Sequence, residues 1–289
     1  MDLGRIGIWS SALGADQPRS REAAAELEEL GYGTIWIGGS PPVDAGARLL
    51  AATSHITVAT GILNIWEHRA ADVAAQHAEV TAKHPGRFVL GLGVSHSAIV
   101  PNYAKPYTAM RTYLDELDAA GQPAAERVLA ALGPRMLELS ARRAAGAHPY
   151  LVTPEHTARA REILGAGPVL APELKVVLAI DTATGREIAR SHLQFYFQLP
   201  NYVNSLRRLG FTDDDLSDGG SDRLVDATVA IGDEDVVSAR LKQHFDAGAD
   251  HVCIQVVGEM APGSDVRTAG RQLTPVGWRR LAGLNQTVS

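Results

Sequence analysis

The sequence predicts an α/β fold, a closed (β/α)8 barrel of the TIM type with a helical insertion region before its last strand. Short β-branched apolar runs alternate with alanine-rich segments of helical period along most of the chain, and glycines cluster where those runs stop. Repeated βα units imply a parallel sheet. Eight strands within 289 residues suit a barrel better than an open doubly wound sheet, since such barrels use about 250 residues as one domain. A single domain over residues 1–289 is expected.

Leu3 to Trp9 reads as the first strand. Arg19 to Leu30 is the first helix, with Ala23, Ala24, Leu27 and Leu30 on one face and Gly31 as its stop. Thr34 to Ile37 is the second strand and Ala45 to Thr53 a short helix. Ile56 to Ile62 is the third strand; it stops at Gly61, a residue whose backbone reaches torsions closed to others. Ala70 to Lys83 is a helix closed by His84-Pro85-Gly86, and Phe88 to Leu92 is the fourth strand.

A polar loop from Val94 to Tyr103 leads to a helix over Thr108 to Ala119. Arg127 to Leu132 is read as the fifth strand, although Ala-Leu-rich text serves a helix equally well. Gly133-Pro134 opens a helix to Ala144, and His148 to Val152 is the next strand. Thr153 as N-cap with Pro154 at the first helical position starts a helix to Leu164. Lys175 to Ile180 is the seventh strand. Thr182 to Val229 shows no obvious strand and contains the acidic turn Thr212-Asp213-Asp214-Asp215, so it reads as a helical insertion. Asp233 to Ala247 is a helix, His251 to Val257 the last strand, and Pro275 to Leu284 the final helix.

Composition narrows the function classes. With 45% hydrophobic and 21% charged residues the chain can bury a substantial core. The net charge is −6, and the pairs Arg142-Arg143, Arg207-Arg208 and Arg279-Arg280 are scattered among acids. No basic stripe exists to attract nucleic acid. The N-terminal text lacks a signal pattern and no apolar run approaches the about 20 residues of a membrane span, so a cytoplasmic protein is expected. The single cysteine, Cys253, excludes an intrachain disulfide and reads as a small buried strand residue.

In a barrel the chemistry sits at the C-terminal strand ends. Those ends read Gly38-Gly39-Ser40, Gly61-Ile62-Leu63-Asn64, Gly93-Val94-Ser95-His96, Leu132-Gly133-Pro134-Arg135 and Pro149-Tyr150. Rich in glycine and poor in charge, they suit a large planar ligand approached by backbone. Gly91-Leu92-Gly93 starts like a dinucleotide fingerprint but lacks the third glycine and a following helix. His96 is the best-placed proton-transfer group, while His55, His77 and His84 read as structural. Gly133-Pro134-Arg135-Met136 opens a helix whose N–H groups suit a phosphate, though it also reads as an ordinary helix start. Trp66-Glu67-His68-Arg69 places an aromatic and charges beside the third strand end, or is a plain helix entry. No metal-ligand spacing and no nucleophile elbow appear. Of four lysines only Lys175 lies on a strand, near its start, which argues against a Schiff-base enzyme.

Several blocks together resemble the luciferase-like superfamily, specifically its actinobacterial coenzyme F420-dependent oxidoreductases. They are Glu26 to Ile37, Val58 to Trp66, His84 to His96, Gly133 to Leu139 and His148 to Thr157. The resemblance implies a barrel holding a deazaflavin at its mouth, and a third strand ending in a non-proline cis peptide, here Gly61-Ile62, behind the ring. It implies a phosphate loop over Leu132, Gly133, Pro134, Arg135 and Met136, with Gly39, Asn64, Gly93, Val94 and Ser95 flanking the ring.

Relatives that oxidise alcohols or sugar phosphates carry an acid and a histidine where this chain has Gly39-Ser40. His96 is therefore the expected proton carrier and Ser40 the group that polarises the substrate. The implied activity is hydride transfer between deazaflavin C5 and a small organic substrate. A flavin mononucleotide (FMN)-dependent monooxygenase on the same barrel is the alternative, and a non-catalytic deazaflavin-binding protein a third. Relatives suggest a homodimer; neither a nucleic-acid nor a membrane partner is expected.

Overall fold

The computed structural model describes residues 1–98, 100, 103, 105–179, 181–258 and 273–287. Its strands are β1 (Ile6–Ser10), β2 (Thr34–Ile37), β3 (Thr57–Thr60), β4 (Leu63–Asn64), β5 (Phe88–Gly93), β6 (Arg127–Leu129), β7 (Gly146–Ala147), β8 (Val169–Leu170), β9 (Glu173–Leu178), β10 (Val229–Gly232) and β11 (Val252–Val256). The sheet runs β10-β9-β11-β1-β2-β3-β5-β6-β7-β8, with β4 on β5, and all the pairings are parallel.

The sheet curls until its two sides meet on one segment. Leu170 lies opposite Ala147, and the Ala171 and Glu173 amides donate to Ala147 and Pro149 at 2.9 Å each. On the other side of the same segment the Cys253 amide donates to Pro172 at 3.0 Å, and Glu173 to Val176 pair with Cys253 to Val256. The architecture is α/β and barrel-like.

Strand alternation sorts the side chains into two layers. Ile35, Ile37, Val58, Leu90, Leu92, Leu129, Leu174 and Ile254 join the core beneath the helices. Trp36, Ala59, Val89, Val128, Ala171 and Cys253 form a separate inner cluster. The Trp36 ring stacks on His148 with centroids 4.1 Å apart and donates to His251 Nε2 at 3.0 Å.

The helices are α1 (Pro18–Glu29), α2 (Val43–Leu50), α3 (Ala70–Lys83), α4 (Pro106–Ala119), α5 (Pro134–Arg143), α6 (Pro154–Leu164), α7 (Thr182–Leu193), α8 (Pro200–Arg208), α9 (Asp213–Leu216), α10 (Asp222–Thr228), α11 (Glu234–Asp246), α12 (Pro275–Leu281) and α13 (Leu284–Thr287). Thr153 caps α6 by accepting from the His156 amide.

Several expected bounds are corrected. The expected strand over His148 to Val152 is instead Gly146–Ala147, because the chain leaves the ladder and Leu151 turns to φ +55°. The fifth strand stops at Leu129 instead of Leu132. The third breaks at the Gly61-Ile62 peptide, which is cis, and resumes at Leu63. Ile180 and several residues of the loop after Val94 lie outside the described residues.

Val229 does not stay helical but opens β10, a strand that the sequence reading missed. The stretch from Thr182 to Thr228 is otherwise helical. Leu193, Leu199, Tyr202 and Val225 pack with Leu151, Val177 and Val257 beside the C-terminal ends of β7, β9 and β11.

Candidate functional site

Among the described residues no helix is long and apolar enough to cross a membrane, and no cluster of His, Cys, Asp and Glu could hold a metal ion. The candidate site lies at the C-terminal strand ends, where three groups of side chains converge.

The first group surrounds the end of β3. Trp9 Nε1 donates to the Gly61 carbonyl at 3.0 Å, and the Gly61 amide donates to Ile37 at 2.7 Å. Ile62 packs over Gly93: a Cβ at Gly93 would sit 2.5 Å from Ile62 Cδ1. Gly39 and Ser40 both turn through positive φ, at +78° and +59°. Ser40 Oγ donates to Glu67 Oε2 at 2.6 Å and accepts from the Asn64 amide at 3.2 Å, while Asn64 Nδ2 donates to Glu67 Oε1 at 2.9 Å. With its proton on Glu67, Ser40 has only its oxygen to offer a ligand. Trp66 Nε1 donates to the Val94 carbonyl at 2.7 Å, fixing the turn that carries Ser95 at φ +54°.

The second group contains His96. Its Nδ1 lies 2.8 Å from Asn201 Oδ1, and its ring is 5.3 Å from that of Tyr202. Burial lowers its pKa, against the hydrogen bond to Asn201, which raises it. The imidazole is therefore neutral near pH 7. A carbonyl oxygen can only accept, so Nδ1 carries the proton and Nε2 is the acceptor. His96 and Ser40 thus belong to separate networks.

Lys175 and Glu173, the third and first residues of β9, anchor the third from below the strand ends. Their Nζ and Oε1 are 2.9 Å apart with both side chains fully buried. They alternate with Leu174 and Val176 along β9, which turns both inward. Lys175 Nζ also donates to Gln255 Oε1 at 3.2 Å and sits 3.7 Å from the centroid of the Tyr150 ring. Burial lowers the Lys175 pKa and Glu173 opposes that shift. Tyr150 donates to Gln255 Oε1 at 2.7 Å and meets Tyr196 at 2.8 Å. Its ring is tilted on Trp9 at 5.2 Å, which joins this group to the first.

The expected phosphate loop lies on the same rim. The Ala130 amide donates to Leu92 at 2.8 Å, carrying the chain from β6 to Leu132 and Gly133, the N-cap of α5. Arg135 stacks its guanidinium over Tyr107 at 4.2 Å, and Arg208 Nη2 comes within 3.8 Å of where a Gly133 Cβ would stand. Pro134 opens the helix, Met136 packs partly buried against the core, and Leu132 O accepts from His156 Nε2 at 2.9 Å. A helix start with two guanidinium groups beside it has the chemistry of an anion seat.

Asn201, Tyr196, Tyr202, Gln255 and the Glu173–Lys175 pair were missed as candidate site residues, whereas Glu67 was read as a charge beside the third strand end or part of a plain helix entry, and it lies there. One signal was available for the pair: two opposite charges at i and i+2 in an otherwise apolar strand share its inner face.

Residues 1–122 match the model of the luciferase-like monooxygenase family. No curated protein matches the chain. Among solved structures, an F420-dependent secondary alcohol dehydrogenase in complex with an F420–acetone adduct superimposes with a TM-score of 0.69 at 12% identity, over 94% of this chain and 98% of that one. The coenzyme F420-dependent tetrahydromethanopterin reductase from Methanopyrus kandleri gives 0.68 at 16%, over 94% and 97%. A type II Baeyer-Villiger monooxygenase, the oxygenating constituent of 3,6-diketocamphane monooxygenase of Pseudomonas putida in complex with FMN, gives 0.66 at 15%, over 98% and 97%. Along nearly its whole length the chain has the fold of these enzymes, and over residues 1–122 it matches the luciferase-like monooxygenase family in sequence.

Proposed function

We propose that the protein is an oxidoreductase that binds coenzyme F420 at the C-terminal mouth of its barrel-like sheet and acts on a small organic substrate. The observation that carries this reading is a helix start with two guanidinium groups beside it, on the same rim as the closely packed ends of β3 and β5. Gly61 and Gly93 let Trp9 and Ile62 pack tightly against those ends, while Gly133, Arg135 and Arg208 would supply the anion seat. The bound deazaflavin would supply hydride chemistry at its C5 carbon.

The chain's own residues divide the remaining work. Gly39, Gly61, Ile62, Asn64, Gly93, Val94 and Ser95 would bear on the ring, and Leu132, Gly133, Pro134, Arg135 and Met136 on the phosphate. His96, neutral and with Nε2 as acceptor, takes a proton from a substrate hydroxyl or returns it to a carbonyl oxygen. Ser40 holds Glu67 and Asn64 in place at the end of β3.

Titration of the purified protein with F420 and with FMN, followed by cofactor fluorescence, tests the reading. Saturable change with F420 is expected; tight FMN binding with no response to F420 sinks it. A second reading, an FMN-dependent monooxygenase, is favoured by the family matched over residues 1–122. Oxygen uptake on adding reduced FMN and substrate would select it.

A further inference from the structure

The protons of the buried chain at the mouth all have determined directions. An ammonium has only protons to offer, so Lys175 at 3.2 Å obliges the Gln255 amide to present its oxygen. That oxygen accepts a second proton, from Tyr150, at 2.7 Å. Tyr150 has one proton and it is committed there. At 2.8 Å from Tyr150, Tyr196 must therefore be the donor. Burial pushes both phenols up, so both stay protonated. The chain ends with the Tyr196 proton already used and a lone pair left over.

Tyr196 lies among the other site groups. Its ring is 5.3 Å from that of Tyr202, which is 5.3 Å from that of His96. Its partner Tyr150 leans on Trp9, which holds the Gly61 carbonyl. The buried charges Glu173 and Lys175 neutralise each other and leave no net charge for an ionic ligand.

We propose that Tyr196 is the hydrogen-bond acceptor on which a substrate O–H or N–H first docks, before a hydroxyl proton passes to His96, so that the site selects a neutral ligand carrying such a donor: an alcohol over its ketone. The proposal rests on the functional reading above only in taking this mouth as the substrate chamber. The ammonium of Lys175 sets the preference from three hydrogen bonds away, which makes Lys175, Gln255 and Tyr150 positioning residues.

Calorimetric titration with cyclohexanol, cyclohexanone and cyclohexyl methyl ether, with and without F420, tests it. One neutral hydrogen bond predicts that the alcohol binds about fivefold tighter than either analogue. Tyr196→Phe abolishes the difference. Tyr150→Phe removes the acceptor for the Tyr196 proton, which then turns to the ligand; alcohol, ketone and ether oxygens can all accept it, so the alcohol loses its advantage. A plain packing role would leave the alcohol preference in place.

Ether or ketone binding as tightly as the alcohol in the unaltered protein overturns the proposal, as does an alcohol preference that survives Tyr196→Phe. The titrations without F420 keep this result separate from any failure of cofactor binding.

Discussion

Trp9 and Gly61 are joined by a hydrogen bond of 3.0 Å from the indole Nε1 to the buried carbonyl, tying the end of β1 to the end of β3. A Cβ at Gly61 would come within 2.9 Å of that same nitrogen, so the bond and the glycine require each other. Trp9→Phe keeps a ring against Tyr150 but removes the donor. A buried carbonyl left without its partner costs about 1–3 kcal/mol. The variant should show that loss in urea denaturation and bind F420 about tenfold more weakly; an unchanged midpoint and affinity would show that the bond organises nothing.

Gly93 is constrained by Ile62. An added Cβ would lie 2.5 and 2.6 Å from Ile62 Cδ1 and Cγ1, so Gly93→Ala must push that side chain aside. Overpacking of this kind costs about 1–3 kcal/mol. The expected result is weaker F420 binding with a modest loss of stability. Gly167→Ala, where a Cβ meets nothing within 4 Å, is the control and should change neither.

The fold and the rim were legible in the sequence, and the polar interior was not. β2, α3 and the Thr153 cap follow from local text: β-branched runs, alanine periodicity and an N-cap followed by proline. Gly61, Gly93 and Gly133 were readable because glycine marks backbone demands directly. Asn201, Tyr196 and Tyr202 come from a helical stretch with no motif of its own, and only the docking of that stretch on β7, β9 and β11 brings them to His96 and Tyr150. Strand β10 was missed because Val229-Ala230-Ile231-Gly232 is too short to declare a period.

Asn201 sets the acid limit of His96. Burial lowers the imidazole pKa and the neutral amide only partly opposes it. Asn201→Asp places a carboxylate there, favouring the imidazolium and raising the pKa, by about 1 unit for a partly buried pair. His96 accepts a proton only when neutral, so the acid limb of the turnover profile should move up by about that amount. An unmoved limb would remove His96 from the proton-transfer step.

Buried histidines should make the fold acid-sensitive above the carboxylate range. Burial brings His148 and His251 down to about 4, from an ordinary value of 6.5. Between those limits the unfolded chain binds more protons, so stability is full above about pH 6.5 and falls as pH drops towards 4. Urea midpoints should hold steady from pH 8 to 7 and decline from pH 6.5 to 5. Midpoints constant down to pH 5 would show that both rings charge freely in the folded protein.

Glu173 and Lys175 should resist single substitution far more than joint substitution. Each is fully buried, and Glu173 also accepts from the Leu151 amide at 3.0 Å, holding the turn that follows β7. Lys175→Met leaves that carboxylate without its counter-charge in the interior, a loss of about 3–5 kcal/mol for a broken buried pair. Adding Glu173→Gln removes the stranded charge and keeps an oxygen for the Leu151 amide, so the double variant should recover most of the stability. Its Gln255 oxygen, no longer fixed by an ammonium, is free to turn, and Tyr150 loses its fixed proton direction. The double variant therefore separates two roles of the pair: near-normal stability with a lost alcohol preference assigns the charges to the site, whereas stability that stays low shows that β9 needs them to fold.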